Sequence, residues 1–364
     1  MINLPRIVST EPVLPQHRYP QQQLTDAFAD FVGVQGLKQG LLRKVHGNAG
    51  VQYRHLALPI EKYADLHDFD TANDAFINEA TALTDTALRR ALEHATVEPG
   101  EVELIMTATT TGLAVPSLEA RIAPAAGIRS DVKRLPVVGL GCVAGAAGVA
   151  RVADYLLGHP DAVAVLLSVE LCSLTLQRAD TSTANLIASG LFGDGAAAVV
   201  MAGARRAAEL APGGLAPSGP APRVVAGRSH LYPHTERAMG WDVGASGLRI
   251  VLGAEIPDLV RSELRADVDG FLGDHGLSVP EIDFWVCHPG GPKVLQAVEE
   301  TLDLRDGQLD VTWESLTEIG NISSASVLHV LADTLRHRTP RPGSYGLMLA
   351  LGPGFSLEMV LLQV

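Results

Sequence analysis

The stretch "VVGLGCVAGAAGVA", Val137–Ala150, sets Cys142 between glycines and ahead of a run of Ala, Gly and Val. A cysteine that opens a helix feels the positive end of the helix dipole and unpaired backbone N–H groups. Both lower a thiol pKa below its free value of about 8.5 and favour the nucleophilic thiolate. Gly139, Gly141 and Gly145 permit a sharp strand-to-helix turn that exposes the sulfur and aims an N–H at a developing oxyanion. Two further side chains fit the same chemistry. His288 closes the apolar run "FWVCH" and precedes "PGGP", so it emerges at the carboxyl edge of a strand. Asn321 opens "NISSASVL" directly after Gly320. A histidine can pair with a thiolate and donate to an oxyanion, and an amide adds a second, uncharged donor. A buried structural thiol and a structural histidine are the ordinary alternatives. What sets the three apart is where a repeat in the chain puts them.

That repeat also supplies the elements that must position them. "GCVAGAAGVARVADYL" from Gly141 lies without a gap on "GNISSASVLHVLADTL" from Gly320, 179 residues further on. "EVELIMTATTTG" from Glu101 and "EIDFWVCHPGGP" from Glu281 match at an offset of 180. Two matches at nearly one spacing predict an internal duplication. Each half reads as alternating strands and helices. "VELIMTA", "AVAVLLSVE", "GAAAVVMA", "IDFWVCH", "YGLMLALG" and "SLEMVLLQV" are short apolar runs expected of buried strands. "AFINEATALTDTALRRALEHA" and "GAEIPDLVRSELRADVDGFLGDHG" carry helical spacing. The Gly/Pro/Ala stretch around residues 203–223 divides the chain into halves at 1–205 and 206–364. The expected class is α/β, two related halves with a site at their junction, beyond the carboxyl ends of strands.

Composition narrows the function. The 364 residues are 47% hydrophobic and 19% charged, enough for a substantial core. No apolar run approaches the roughly 20 residues of a membrane span, and the first twenty residues lack a signal-peptide core, so a cytoplasmic protein without membrane insertion is expected. Three cysteines in apolar settings form neither a disulfide framework nor a zinc site. A net charge of −13 argues against nucleic-acid binding. An anionic small ligand would need a local basic patch. Arg43, Lys44 and Arg54 in "LLRKVHGNAGVQYRH" offer one, with a solvated helix end as the plainer reading.

"LGC" with its small-residue helix, "HPGGP", "GNISSASVL" and the late "GPG" together resemble the chalcone-synthase superfamily, the type III polyketide synthases, over nearly the whole chain. The resemblance implies a thiolase-like, duplicated αβαβα layered fold. Cys142 would be the nucleophile that carries the growing acyl chain, with His288 and Asn321 decarboxylating a malonyl-CoA extender and stabilising its enolate. Phe192, in "GLFGDGAAA", would be the gatekeeper between CoA tunnel and cavity. Acyl-CoA and malonyl-CoA would be the substrates, with no metal or organic cofactor. Lys293, with Arg43, Lys44 and Arg54, would meet CoA phosphates. Val115 falls where relatives reach into the partner's cavity, which implies a homodimer.

Departures from the plant pattern bear on the substrate. Ile250 stands where a second gatekeeper phenylalanine is usual, and Trp241 where plant enzymes have a cavity-wall glycine. Thr110, Cys172, Thr175 and Ser323 fall on other cavity positions. The closing turn reads "LALGPG", so Leu351 precedes Gly352, Pro353 and Gly354 without the usual aromatic. This pattern resembles bacterial enzymes that take a fatty acyl starter and make alkylresorcinols or alkylpyrones. A tetrahydroxynaphthalene synthase using malonyl-CoA alone, a β-ketoacyl-ACP synthase III performing one condensation, and a non-catalytic thiolase-fold subunit are the alternatives. A hydroxymethylglutaryl-CoA synthase type lacks an evident carboxylate base, and a Cys/His metal protein lacks local ligand pairs.

Overall fold

In the strands Val163–Leu171 and Asp194–Ala202 every residue is buried, which requires a sheet covered on both faces. The computed structural model describes residues 4–216 and 219–364. Alternate residues point opposite ways. In the first half Leu104, Met106, Leu166, Ala197 and Val199 pack onto the helices Ala144–Gly158 and Ser323–His337. Ile105, Val165, Leu167, Ala198 and Val200 pack with the far end of helix Phe69–Ala95. The second half repeats the arrangement. Val286, Met348, Ala350, Val360 and Leu362 meet the same two central helices. Trp285, Cys287, Leu347, Leu349, Met359 and Leu361 meet helices Ile256–Gly273 and Pro292–Leu302. Helix, sheet, paired central helices, sheet, helix: these are the five layers of the thiolase-like fold.

The strand order is Phe284–Cys287, Tyr345–Gly352, Ser356–Gln363, Arg223–Leu231, Arg6–Val13, Asp194–Ala202, Val163–Leu171, Val102–Ala108, Lys133–Val137. Read outward from the middle, both halves give two antiparallel pairings and then a parallel one. Within the sheet, among the described residues, the two halves pair at Arg6 opposite Arg223. The central helices begin and end 179 residues apart, as the repeat predicts. The division at 205/206 falls inside helix Ala204–Leu210, and the second half's first sheet strand starts at Arg223.

The small-residue run has a steric reason. A Cβ on Gly145 would lie 2.3 Å from the Ser324 carbonyl oxygen, and one on Gly148 2.5 Å from Leu166 Cδ1. Only glycine lets the helix behind Cys142 approach the helix behind Asn321 this closely, so the packing that joins the halves also draws the two helix starts together.

Candidate active site

Cys142 sits in the single turn Gly141–Val143 that runs straight into helix Ala144–Gly158. Gly139 and Gly141 have φ of +99° and +55°, which an L side chain resists. A Cβ on Gly141 would also come within 2.6 Å of Pro353, and one on Gly352 within 2.9 Å of the Val143 nitrogen. The late "GPG" is therefore a buttress for the Cys142 turn. Cys142 is only 6% exposed, and its thiol donates to Ser323 Oγ at 3.5 Å.

Asn321 occupies the matching turn in the second half. Its Oδ1 accepts from the Ser323 backbone N–H at 2.8 Å and from Ser326 Oγ at 3.5 Å, which leaves the Nδ2 donor facing the other way. These bonds hold Ser323 at φ +44°, a left-handed conformation that costs a non-glycine residue about 1–3 kcal/mol. The strained turn brings the Ser323 hydroxyl to the thiol. His288 follows strand Phe284–Cys287, with its backbone N–H donating to Leu349 O at 2.8 Å. It is 6% exposed, and its buried Nδ1 has no hydrogen-bond partner.

The thiol lowered by a helix dipole, expected above, is not what the structure gives. Burial pushes Cys142 up to about 12, and Ser323's hydrogen bond recovers only part of that. Burial likewise pushes His288 down to about 3. Each charge alone is opposed by desolvation. Were the thiol proton passed to the imidazole, both charges would form together and their attraction would offset part of both penalties. A neutral imidazole also offers one acceptor nitrogen and one N–H donor.

Glu170 is a residue near the site that sequence reasoning missed. It is fully buried. One oxygen accepts from Ser324 Oγ, the other from the Thr110 N–H at 3.0 Å and Thr111 Oγ1 at 2.9 Å. Burial raises its pKa. With both oxygens engaged, it ties the Thr110 loop to the turn that carries Ser323. The signal was a lone acid in the otherwise apolar "VAVLLSVEL".

Phe192, Trp241, Ile250, Cys172 and Thr175 line one cavity of about 470 Å³. Cys142, His288 and Asn321 are not among its lining; the two regions meet at Phe192. That residue's backbone bridges Asn321, while its side chain faces the cavity. Trp241 and Ile250 are directly paired across the hairpin Met239–Gly244/Gly247–Leu252, and the Trp241 indole N–H donates to Thr110 Oγ1 at 3.2 Å. Cys172 and Cys287 are buried, and burial raises both thiols, Cys287 to about 12.

Of the other expected site residues, Thr110, Ser323, Val115 and Leu351–Gly354 do not line this cavity, whereas Arg54 lines it beside Phe192 instead of standing at the surface. Leu351 shares the outward face of its strand with Leu347 and Leu349 and belongs to the core beneath helix Ile256–Gly273, not to the cavity. Arg54 is 4% exposed and bonded internally, so it cannot meet a CoA phosphate at the surface. Arg43, Lys44 and Lys293 are exposed, Arg43 pairing with Asp26 at 3.1 Å. A Cβ on Gly50 would lie 3.1 Å from Pro292, so the loop leaving helix Leu37–Gly47 meets the start of the helix that carries Lys293. Val115 is 94% exposed. Among the described residues no group of three or more His, Cys, Asp or Glu side chains could hold a metal ion, and no helix is long and apolar enough to cross a membrane.

Residues 16–212 match the family described as FAE1/type III polyketide synthase-like protein, and residues 223–364 the C-terminal domain of chalcone and stilbene synthases. A 1,3,6,8-tetrahydroxynaphthalene synthase of Streptomyces peucetius subsp. caesius is 53% identical over 98% of this chain and 92% of its own. One of Streptomyces griseus is 34% identical over 95% and 89%. The crystal structure of 1,3,6,8-tetrahydroxynaphthalene synthase from Streptomyces coelicolor A3(2) superposes with a TM-score of 0.90 at 28% identity, covering 98% of this chain and 99% of that one.

Proposed function

The chain belongs to the type III polyketide synthases, and from that premise we propose that it builds 1,3,6,8-tetrahydroxynaphthalene from malonyl-CoA alone. The family are acyltransferases that work on CoA thioesters and need no resident cofactor. In the first step Cys142 Sγ attacks the starter thioester while His288 takes the thiol proton and returns it to departing CoA. Carbon dioxide then leaves an extender malonyl-CoA. Its bonding electrons become an enolate whose oxygen accepts from Asn321 Nδ2 and the His288 N–H. The enolate carbon attacks the Cys142 thioester carbonyl, the new C–C bond forms, and the sulfur is released for reloading. Arg43, Lys44 and Lys293 attract the CoA phosphates at the mouth.

A naphthalene has ten carbons, and each decarboxylated malonyl unit supplies two. Five malonyl-CoA thus give the product, five carbon dioxide, five CoA and one water. The observation that carries this reading is the 53% identity over nearly the whole chain to an enzyme of that name. It favours the malonyl-only pathway over the fatty acyl starter that Ile250 and Trp241 suggest by sequence. The hairpin register supplies a reason. Ile250 widens the cavity at the point where the paired indole of Trp241 fills it.

One observation favours a second reading, tolerance of alkyl starters. The cavity continues along Leu24, Phe28, Phe31, Leu56 and Ile60, an apolar lining suited to an acyl chain. Mass spectrometry after incubation with malonyl-CoA, alone or with medium-chain acyl-CoAs, separates the two. A ten-carbon tetrahydroxylated product from malonyl-CoA alone is expected, and its absence without an added starter overturns the proposal. In Trp241→Ala the proportion of alkyl-primed products is expected to rise by about tenfold, the usual scale for freeing space in a hydrophobic pocket.

We further propose a homodimer. Val115 is apolar and 94% exposed, a few residues from Thr110 and Thr111 at the site, where a second subunit would cover it. Sedimentation is expected to give the mass of two chains, and a monomer at micromolar concentration would refute it.

A further inference from the structure

The helix Thr183–Leu191 ends at the gate, and its last carbonyls need partners outside the helix. Three consecutive carbonyls are met by three different groups. Gly190 O accepts from Gln21 Nε2 at 2.6 Å, Leu191 O from the Asn321 backbone N–H at 2.9 Å, and Phe192 O from Arg54 Nη1 at 2.8 Å. Arg54 Nε donates to Gln21 Oε1 at 3.0 Å, which joins the two outer donors into one clamp. The middle donor is the catalytic amide residue itself. Gly193 N–H in turn donates to Asn321 O at 2.9 Å.

The aliphatic stem of Arg54 fits the same place. A Cβ on Gly320 would lie 3.1 Å from Arg54 Cγ, and one on Gly193 3.8 Å from its Cβ, so the stem lies against the glycines beside both Asn321 and Phe192. A guanidinium at a helix C-terminus is favoured by the dipole, and a charged donor makes a stronger bond to a carbonyl than a neutral one. Burial pushes Arg54 down to about 10, with Asp194 opposing, so it keeps its charge at neutral pH.

We propose that Arg54, braced by Gln21, is a positioning residue that sets gatekeeper Phe192 and decarboxylating Asn321 in register across the junction of the two halves. The inference rests on the roles given above to Asn321 and Phe192. It makes no claim on Cys142, whose turn Arg54 does not contact in the structure. Loosening the clamp therefore slows the steps that need the amide and the gate aligned more than it slows acyl transfer to Cys142.

The test compares Arg54→Met, Arg54→Lys and Gln21→Met with the parent. Two rates are measured per active site, with sites counted by alkylation of Cys142. One is thioester formation from hexanoyl-CoA, read by intact mass; the other is carbon dioxide release from malonyl-CoA. In Arg54→Met the ratio of decarboxylation to loading is expected to fall about 10- to 100-fold, the range for losing a charge-assisted hydrogen bond. Arg54→Lys, which keeps one charged donor, and Gln21→Met are each expected to fall less. Products should shift to shorter, prematurely released chains. A purely structural role would lower thermal stability and active-site count while leaving the ratio unchanged. An unchanged ratio in Arg54→Lys and Gln21→Met overturns the proposal even where Arg54→Met does not fold. If Asn321→Ala leaves decarboxylation intact, the assignment of Asn321 fails instead, and that result is distinct.

Discussion

A Cys142→Ala protein is expected to lose product turnover by on the order of 10⁴-fold or more while still releasing carbon dioxide from malonyl-CoA. The two effects part because the structure separates the groups. Cys142, the proposed nucleophile, lies on a turn of the first half, and His288 and Asn321, the proposed donors to the enolate, lie in the second. Removing the sulfur removes the proposed attachment point for the acyl chain, but Asn321 keeps its orientation through the Ser323 N–H and Ser326 Oγ. Alanine also fits, since the thiol makes one long hydrogen bond and nothing is left buried and charged. Cys172 lines the cavity but is a poor substitute, because burial, with the carboxylates of Glu170 and Asp194 nearby, raises its thiol well above the ordinary cysteine value. Intact mass spectrometry with an acyl-CoA should show no adduct. A thioester that persists in this variant would move the nucleophile elsewhere.

What sequence made legible here, and what it did not, follows from which forces act along the chain and which across it. The duplication was readable because both central helices must be small-faced where they meet, so Gly145 and the residues around Ser324 carry the same constraint twice. The offset then places Cys142 and Asn321 at equivalent turns. Arg54 was grouped with Arg43 and Lys44 by adjacency, yet it lies in the strand Tyr53–Leu56, where alternation puts it on the inward side with Leu56. Leu351 errs in the same way: its neighbours two and four residues back, Leu349 and Leu347, already mark the outer face. Both were open to a period-two reading. The thiol pKa and Glu170 were not. A helix start announces itself locally, whereas the desolvation that outweighs it comes from layers far off in sequence, and so do Ser324 and Thr111, which hold the carboxylate.

Asn321→Ala and His288→Ala are each expected to cut malonyl-CoA decarboxylation by about 10²- to 10³-fold, the usual cost of one oxyanion donor in a water-poor site. The two should differ in loading. Asn321 touches the thiol only through the Ser323 turn, so acyl transfer to Cys142 should survive in Asn321→Ala at a reduced rate. In the proposed mechanism His288 accepts the thiol proton, and burial leaves that thiol protonated at neutral pH, so His288→Ala should slow loading as well. Raising the pH should then restore part of the loading in His288→Ala, because hydroxide replaces the missing base, and should restore none of the decarboxylation. Rapid-quench measurement of thioester formation beside carbon dioxide release reads both. Equal losses of the two activities in Asn321→Ala would mean that the amide shapes the whole site rather than the enolate alone. An unaffected loading rate in His288→Ala would mean that the thiol finds its base elsewhere, and Glu170, one serine behind Ser323, would be the group to examine next.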